Sequence, residues 1–451
     1  MLPKAMISRM GTSDLQPESS VTKELTKWLD SNWDPDLQVG EWWERLGTDG
    51  WAAPGLPDNA FGRGLSRGDT VVVQKTITAY GALSAPGGLG LLLAAPTIAA
   101  HGTQEQINAY VYEIVTGKKA WCQLFSEPAA GSDLAGLQTR AEQDGDEWVV
   151  NGQKVWTSSG HWADLGMLLA RTDPNVPKHK GISYFAIDMH QPGVEVRPLK
   201  EMTGRAMFNE VFLTEARTLN QALIGGLNNG WAFANTTLAN ERAGLGAGGG
   251  DAAASVAMPG TVANQLGLRA GDFIASSAGS ARKTSSEETG GLFGVSAQAL
   301  INKAIKNGTI NDPLIRQDLA RLYCLGEVGR FNNLRQKAMR LSGSDIPGLP
   351  NIAKLSMSQM VKLSRDLGLR ILGPYGMLHA YSSADRKTLA QITGSPENSM
   401  ITEVALFAQA PSIYGGTDQI QRNILGERVL GLPREPSSDQ DVAFKDLQKN
   451  R

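Results

Sequence analysis

The sequence predicts an α+β fold in which helical domains flank a middle antiparallel β-barrel or β-sandwich. Three observations indicate this order: helical apolar spacing up to about residue 120, a period of two from about 121 to 223, and helical spacing again to about 432. A length of 451 residues is sufficient for two or three domains with a large core. We therefore assign a helical domain to residues 1–120, a β-domain to 121–223, a helical bundle to 224–432 and a tail to 433–451.

The first domain carries clear helix signals. Residues 69–80 place apolar side chains at helical spacing. Thr103-Gln-Glu-Gln106 matches a capping box, and Gly117 lies just past the helix that this box would open. Residues 87–100 form the most apolar run, which is too short and too rich in Gly and Pro to span a bilayer. This run predicts a buried helix or a pocket wall.

The middle domain alternates short strands with turn residues. No helical pattern separates the strands, which favours a small antiparallel barrel or sandwich. Within residues 145–159, Asn151-Gly152 is the strongest short-range hairpin signal, and it predicts a turn between two strands. The predicted strand segments are 148–150, 167–170, 182–187, 194–196 and 210–213.

Helix signals return after the β-domain. Asp312-Pro313 is a helix start signal, an N-cap followed by proline in the first turn. A second long helix is predicted over residues 352–372. The Gly/Ser/Ala-rich stretch at about 259–292 predicts a mobile insertion, and the tail after Pro433 is predicted to be disordered.

Composition and charge disfavour several classes of function. The net charge of −2 and a pI near 6.3 give no basic surface for nucleic acid or anionic membranes. The two cysteines, Cys122 and Cys324, are far apart, which disfavours a disulfide framework and a structural zinc site. The five histidines are scattered without an HExxH pattern, so no metal site is predicted. Because the N-terminus lacks a signal-peptide pattern, we expect a soluble, cytoplasmic protein.

Two further motifs lack the context that their chemistry requires. Gly244-Leu-Gly-Ala-Gly-Gly249 matches GxGxxG but follows a helical pattern rather than a strand, which favours close helix packing over dinucleotide binding. Ser158, Ser159 and His161 have neither a GxSxG elbow nor an evident acidic partner, which disfavours a hydrolase.

Four motifs occur together in one order along the chain. They are Ala99-Ala-His-Gly-Thr-Gln-Glu-Gln106, Ser126-Glu-Pro-Ala-Ala-Gly-Ser-Asp133, Asn151-Gly-Gln-Lys-Val-Trp156 and Ile413-Tyr-Gly-Gly-Thr-Asp-Gln-Ile-Gln-Arg422. From about residue 90 to Pro433 the chain resembles the acyl-CoA dehydrogenase family, with the insertion as the main gap. The resemblance implies a C-terminal four-helix bundle, tetramers that bind FAD at subunit contacts, and desaturation of an acyl-CoA thioester.

The resemblance also implies roles for individual residues. Phe125 and Ser126 would contact the flavin ring, Trp156 would cover one of its faces, and Thr417 and Gln419 would reach the FAD phosphates and ribityl chain. The implied cofactor residues are Gln123, Phe125, Ser126, Gly131, Ser132, Trp156, Thr157, Ser158, Phe293, Arg370, Gly373, Thr417 and Gln419. The implied substrate residues are Ser132, Asn240, Arg242, Tyr414 and Gly416.

The chain departs from the family pattern at the catalytic base. Family members commonly carry glutamate in a Tyr-Glu-Gly-Thr stretch, which is here Tyr414-Gly415-Gly416-Thr417. The backbone N–H of Gly415 remains for the thioester oxygen, but the carboxylate is missing. Some family branches carry the base on the first long helix of the bundle, where Glu241 falls in this sequence. We interpret Glu241 as the base; the alternative is a solvated pair of Glu241 and Arg242 on a helix surface.

A second departure affects the cofactor diphosphate. The family motif Arg-x-x-Phe-Gly is here Gly290-Gly-Leu-Phe293-Gly294, without the arginine. Arg370 matches the position of a family glutamine and would restore a positive charge there. The alternative is weakened FAD binding on this chain.

Three functions are consistent with these residues. The leading interpretation is an FAD-dependent acyl-CoA dehydrogenase that uses Glu241 and passes electrons to an electron-transferring flavoprotein, as a homotetramer or an α2β2 heterotetramer. The second is a catalytically incompetent subunit that completes the site of a partner. The third keeps the fold but is a flavin oxidase or an acyl-carrier-protein-linked dehydrogenase. The sequence leaves the acyl group open.

Overall fold

The computed structural model describes residues 19–246, 265–274, 296–341, 344, 346–436 and 439–447. Phe293 lies outside the described residues, and so does the side chain of Arg242. Most of the predicted insertion at 259–292 also lies outside them, except for a ten-residue piece at 265–274.

The N-terminal domain is a set of helices packed around buried tryptophans. Its helices are α1 (Ser20–Asn32), α2 (Val39–Thr48), α3 (Arg67–Tyr80), α4 (Ala95–His101), α5 (Gln104–Gln106) and α6 (Tyr112–Val115). Trp42 and Trp43 on α2 are almost fully buried in the core. The predicted capping box is confirmed, because the Thr103 hydroxyl accepts from the Gln106 N–H while the Gln106 side chain accepts from the Thr103 N–H. A π-helical turn, Gly90–Ala94, leads into α4 and buries the apolar run as predicted.

Eight strands of the middle domain form one sheet. They are β1 (Trp121–Leu124), β2 (Arg140–Asp144), β3 (Glu147–Ser158), β4 (Leu165–Arg171), β5 (Ile182–Asp188), β6 (Val194–Leu199), β7 (Phe208–Leu219) and β8 (Leu223–Ile224). The order is β6-β7-β3-β2-β4-β5-β8, with β1 paired to β4. Within this domain, β4 runs parallel to β1 and, over one residue pair, to β2, while the other pairings are antiparallel. The predicted strand segments are confirmed in β3 to β7. The alternation of apolar and polar residues indicates which face of a strand is buried, but it does not indicate whether neighbouring strands are parallel or antiparallel.

The predicted hairpin turn at Asn151-Gly152 is wrong. β3 runs through both residues, and the pairing with β7 shifts register between Val150 and Gly152, which marks a β-bulge. The Asn151 side chain accepts from the Glu215 N–H at 3.0 Å and so stabilises the bulge. The β2–β3 turn lies instead at Gly145-Asp146, where the φ of Gly145 is 63°.

The C-terminal domain is a helical bundle, as predicted. Its helices are α7 (Gly230–Gly246), α8 (Ala297–Lys306), α9 (Pro313–Leu341), α10 (Leu349–Leu372), α11 (Ser383–Thr393), α12 (Asn398–Phe407) and α13 (Asp418–Ile424). Helix α10 lies at the centre, in contact with α7, α8, α9, α12 and α13. Leu319, Leu367 and Ile401 are among its buried core side chains. The predicted start of α9 is confirmed, because the Asp312 carboxylate accepts from the Leu314 N–H at 2.8 Å.

Residues 265–274 of the predicted mobile insertion are docked on the N-terminal domain. The carbonyls of Leu266 and Leu268 accept from the first N–H groups of α2 at 2.8 Å. The Phe273 ring packs edge-on against Trp43, with centroids 6.2 Å apart. This piece is therefore not a mobile linker. The piece has few apolar side chains, and they have little effect on the average composition of residues 259–292. Composition alone therefore did not predict that this piece would dock.

The prediction of a disordered tail is wrong for residues 439–447. Phe444 is only 8% exposed, and its N–H donates to the carbonyl of Val176 in the loop between β4 and β5. One buried aromatic side chain anchors an otherwise polar segment, a tertiary contact that the composition of the segment does not indicate.

The bulge at Gly152 provides a test of the sheet. A Cβ built on Gly152 would lie 2.7 Å from the Cα of Thr139. We expect Gly152→Ala to lower the free energy of unfolding by about 1–3 kcal/mol, because β2 and β3 must move apart. Chemical denaturation measures the change. Gly329→Ala is the control: no neighbour lies within 4 Å of the added Cβ in α9, so it should be neutral or slightly stabilising.

Candidate active site

Residues 126–133, here called the motif loop, follow β1 after one residue, Phe125. The loop closes on itself, since the N–H and C=O groups of Glu127 and Ala130 bond reciprocally at 3.0 and 3.1 Å. Ser126 is half-buried, while Gly131 and Ser132 are exposed. The loop therefore presents its small residues to solvent from a fixed base, a surface that a ligand can approach closely.

The side chain of Phe125 does not lie on that exposed surface. It is 4% exposed, and its ring packs edge-on against Tyr184 with centroids 6.0 Å apart. Gln123 on β1 is half-buried. The Phe125 ring therefore packs in the core, and the flavin contact that the resemblance implied for this residue stays a prediction.

A buried ion pair joins the motif loop to β3. The Lys154 ammonium is 2.9 Å from the Glu127 carboxylate and donates to the carbonyl of Phe125 at 3.1 Å, and both charged side chains are buried. Glu127 also accepts from the N–H groups of Gln138 and Thr139 at 2.6 and 2.9 Å. Burial by itself would raise the pKa of Glu127, but the ammonium and these donors outweigh it and lower the pKa below its usual range.

Trp156, two residues after Lys154, is turned out of the sheet. Its φ of 61° lies in the left-handed region, which is rare for a bulky residue, and the pairing with β7 shifts register between Lys154 and Thr157. The side chain is 60% exposed and contacts the edge of Phe208 at 5.8 Å between centroids. Strained backbone of this kind concentrates at functional sites. The motif identified Trp156, but only the structure shows how a bulge exposes it.

The residues around Trp156 fit a planar aromatic cofactor such as the flavin. Trp156 offers an open aromatic face, and the adjacent Thr157 is fully buried with a hydroxyl that has no hydrogen-bond partner. Ser158 follows, half-buried and paired with Phe208 in the sheet. An aromatic face beside the unsatisfied Thr157 hydroxyl and the half-buried Ser158 fits a flavin, whose ring stacks on aromatic side chains and whose polar edge needs hydrogen-bond donors.

Glu241 lies on the buried face of α7. Phe233, Ala234 and Thr237 are buried, and Glu241 follows Thr237 by one turn on the same face. Asn235 and Ala239, on the opposite face, are exposed. Glu241 itself is half-buried, and Asn240 beside it is half-buried as well. This position differs from the fully solvated surface of the alternative interpretation.

Polar contacts between buried hydroxyl groups fix the rotation of α7. The Thr237 hydroxyl lies 2.9 Å from that of Thr97 on α4, and His101 Nε2 lies 2.8 Å from the Thr236 hydroxyl. At the start of the helix, a Cβ on Gly230 would lie 2.6–2.9 Å from backbone atoms of β5. The face that carries Glu241 is therefore held against the N-terminal helices and the sheet.

The loop before α13 contains the substituted base position. Gly415 and Gly416 have φ values of 62° and 78°, and the carbonyl of Gly415 accepts from the Gln421 side chain at 2.8 Å. Thr417 is the N-cap of α13 through its hydroxyl, whereas Gln419 is exposed. The Tyr414 hydroxyl is buried without a hydrogen-bond partner, and burial raises its pKa.

The two candidate cofactor residues on α10 lie in the bundle. Arg370 in the last turn of α10 forms an ion pair with Asp318 of α9, so its charge is partly compensated within the chain. Gly373 ends α10 with a φ of 57°. The structure thus places the candidates in the motif loop with β3 and on α7 against the N-terminal helices. In the bundle, Thr417 lies near the N-terminal part of α10, where Lys354 pairs with Asp418, whereas Arg370 and Gly373 lie at the C-terminal end of the same helix.

Across the described ranges, His, Cys, Asp and Glu do not form any group of three able to hold a metal ion. Within the same part of the chain, no helix combines the length and apolar character needed to cross a membrane.

Family models match each of the three structural domains. The acyl-CoA dehydrogenase N-terminal domain matches residues 18–118, the middle domain matches 122–215 and the C-terminal domain matches 295–430. Together with the helical domains around a mixed sheet, these three matches define the class of the protein as an oxidoreductase with three-domain dehydrogenase architecture. The chain belongs to the acyl-CoA dehydrogenase family, whose members are flavoproteins.

Individual relatives agree with this assignment. Acyl-CoA dehydrogenase IpdE1 of Mycobacterium tuberculosis is 33% identical over 394 residues, which is 87% of this chain and 88% of that protein. Acyl-CoA dehydrogenase FadE34 of the same organism is 35% identical over 85% of this chain, but the match spans only 44% of that protein.

Solved structures are similar over nearly the whole chain. The ChsE4–ChsE5 complex of M. tuberculosis superposes with a TM-score of 0.62 and 26% identity, over 95% of this chain and 100% of that chain. The Tcur3481–Tcur3483 steroid ACAD superposes with a TM-score of 0.63 and 25% identity, over 92% of this chain and 97% of that chain.

The buried ion pair provides a test of the site. We expect Glu127→Gln to lower the free energy of unfolding at pH 7 by about 3–5 kcal/mol, because the Lys154 ammonium is left buried without its partner. Adding Lys154→Met should restore part of the loss. Glu142→Gln, which removes an exposed partner of Arg140, is the control and should change stability by less than about 1 kcal/mol. Urea denaturation measures all four proteins.

The same variants have a pH dependence with a defined sign. Because the pKa of folded Glu127 is lowered, its stabilisation is fully present above the unfolded value of about 4.3 and is lost as the pH falls through the folded pKa. The difference in the free energy of unfolding between wild type and Glu127→Gln should therefore become smaller below about pH 4.3. An equal difference at pH 3 and pH 7 would contradict the role of the carboxylate charge.

Proposed function

We propose that the chain is an FAD-dependent acyl-CoA dehydrogenase that forms a 2,3-enoyl thioester, with Glu241 as the catalytic base. The observation that carries this proposal is the place of Glu241 on the buried face of α7, in a chain whose usual base position is Gly415. A half-buried carboxylate that is held on a rigid helix is suited to abstract a weakly acidic proton.

The residues of the chain divide the reaction between them. Glu241 takes the proton from the carbon α to the thioester carbonyl, while the backbone N–H of Gly415 polarises the carbonyl oxygen and makes that proton more acidic. FAD, when bound, supplies the acceptor for the hydride that leaves the β-carbon. Loss of a proton and a hydride from adjacent carbons leaves the C2–C3 double bond. We propose an electron-transferring flavoprotein as the external acceptor.

The motif loop and β3 would hold the cofactor ring. Trp156 would cover one face, and the hydroxyl groups of Ser126, Thr157 and Ser158 would donate to its polar edge. Thr417, whose hydroxyl caps α13, and the exposed Gln419 remain the proposed residues for the phosphate and ribityl part of the cofactor.

A second candidate function is a subunit of an α2β2 complex. The diphosphate arginine of the family motif is absent at Gly290, and Arg370 is paired with Asp318. Two similar solved structures carry the names of two components each, ChsE4–ChsE5 and Tcur3481–Tcur3483. In this arrangement a partner chain would supply the cationic side chain for the cofactor diphosphate.

One of these similar structures, Tcur3481–Tcur3483, is named a steroid ACAD. This name leads us to propose a bulky polycyclic acyl thioester as the substrate.

Replacing the proposed base tests the first function. We expect Glu241→Gln to retain bound FAD but to reduce acyl-CoA-dependent bleaching of the flavin by at least about 10²-fold, because the proton acceptor is lost. Anaerobic stopped-flow absorbance with a panel of acyl-CoA thioesters, including steroid derivatives, measures the rate. Glu142→Gln on the exposed face of β2 is the matched control and should bleach at the wild-type rate.

Other outcomes of the same measurement would favour other functions. Bleaching that survives in Glu241→Gln would remove Glu241 from the mechanism. Colourless protein that gains flavin and activity only with a co-expressed partner chain would support the subunit of a heterotetramer. Oxygen consumption without an external acceptor would support a flavin oxidase, and bleaching only by acyl groups on a carrier protein would support the carrier-linked dehydrogenase.

The exposed tryptophan tests the cofactor site separately. We expect Trp156→Ala to weaken FAD binding about tenfold or more, because an aromatic stacking contact of about 1 kcal/mol is lost together with buried area. Trp156→Phe should retain most of the affinity. Fluorescence titration of the apoprotein with FAD gives both values. Equal affinity of Trp156→Ala and wild type for FAD would show that the flavin ring does not stack on Trp156.

A further inference from the structure

Residues 439–447, here called the strap, lie across the loop that joins β4 to β5. The Phe444 N–H donates to the Val176 carbonyl at 2.9 Å, and the Lys445 N–H donates to the Pro174 carbonyl at 3.0 Å. A further antiparallel bridge joins the two segments. With Phe444 only 8% exposed, the strap has backbone pairing and an apolar anchor, so it is a docked element.

The strap reaches the segment after the motif loop through a buried arginine. The guanidinium carbon of Arg171 lies 3.7 Å from the centroid of the Phe444 ring, and Arg171 is 3% exposed. The same guanidinium donates to the carbonyls of Ala135 at 2.6 Å and Leu137 at 3.3 Å. Burial lowers the pKa of Arg171 to about 10, so this cation depends on the ring and carbonyl groups that replace its water.

A lysine forms a second link between the strap and the motif loop. The Lys178 ammonium lies 2.9 Å from the carboxylate of Asp439 and 3.1 Å from that of Asp133. The Lys178 side chain is 15% exposed, whereas the Asp439 and Asp133 side chains are 36% and 51% exposed, so solvent partly screens both ion pairs. Asp133 is the last residue of the motif loop and directly follows Ser132, the candidate substrate residue.

We propose that the strap is a positioning element for substrate: through Arg171 and Lys178 it holds the Ser132 end of the motif loop in the conformation that binds the acyl-CoA thioester. The substrate part of this proposal rests on the proposed function, whereas the mechanical link does not.

The expected effect follows from where each group lies. Ser132 is exposed, so its position depends on the contacts at Asp133, Ala135 and Leu137. Without the strap, substrate binding must order a looser loop, and that entropic cost weakens binding. Glu241 and Trp156 are held by α7 and by the bulge in β3, so the proposed base and the aromatic face for the cofactor do not depend on the strap.

The test compares four forms of the FAD-loaded protein with wild type: a chain that ends at residue 435, Phe444→Ala, Phe444→Tyr and Lys445→Ala. Lys445 is the matched control, because its side chain is exposed and only its backbone bonds to the loop. Amide hydrogen exchange of residues 133–139, the end of the motif loop and the segment after it, measures this link directly and independently of any activity. KM and kcat with an acyl-CoA thioester read the functional consequence.

We expect exchange at residues 133–139 to accelerate roughly tenfold in the shortened chain and about fivefold in Phe444→Ala, since local opening becomes easier. KM should rise by similar factors, with kcat within about twofold of wild type. The reason is that the entropic cost of ordering the loop falls on substrate binding and not on the chemical step. Phe444→Tyr keeps a ring over Arg171 and should behave as wild type, as should Lys445→Ala.

The two readouts separate the possible failures. Unchanged exchange in both the shortened chain and Phe444→Ala would overturn the strap as a positioning element, whatever the activity. Faster exchange with an unchanged KM, or with kcat lowered instead, would overturn its role in substrate binding. If the wild type shows no acyl-CoA activity, the proposed function fails, and the exchange rates still decide the mechanical link.

Discussion

The site depends above all on the buried ion pair between Lys154 and Glu127. Each charge would be costly in the core alone, but together with the Phe125 carbonyl and two backbone N–H donors they satisfy one another. The pair fixes the motif loop, an irregular segment with exposed small residues, against a regular strand. Because Lys154 is two residues before Trp156, the same contact sets the position of the loop relative to the aromatic wall.

Two bulges in β3 let this strand present an exposed side chain in addition to its core side chains. The first, at Asn151-Gly152, lets the backbone of Gly152 approach Thr139, which only a residue without Cβ permits. The second turns Trp156 outward at a positive φ while leaving Thr157 buried. One strand therefore supplies core side chains and an exposed aromatic face within a few residues, which regular alternation does not allow.

The position of Glu241 follows from helix geometry. Thr237 is fixed by a hydroxyl contact to α4, and a one-turn step along α7 places Glu241 on the same buried face. Gly415 occupies the usual base position with a φ of 62°, a conformation that glycine adopts without strain.

The sequence by itself determined the helix–β–helix order, the strand segments, the capping box at Thr103, the start of α9 and the family motifs, because these depend on local spacing and residue type. Tertiary structure decided that Asn151-Gly152 is a bulge, that residues 265–274 and 439–447 are docked, and that Trp156 faces outward while the Phe125 ring faces the core. Each of these features depends on a partner far away in the chain, such as Thr139, Trp43 or Arg171. Local pattern carries no information about such partners, since a turn signal or a polar composition is unchanged by the neighbour that folding brings against it.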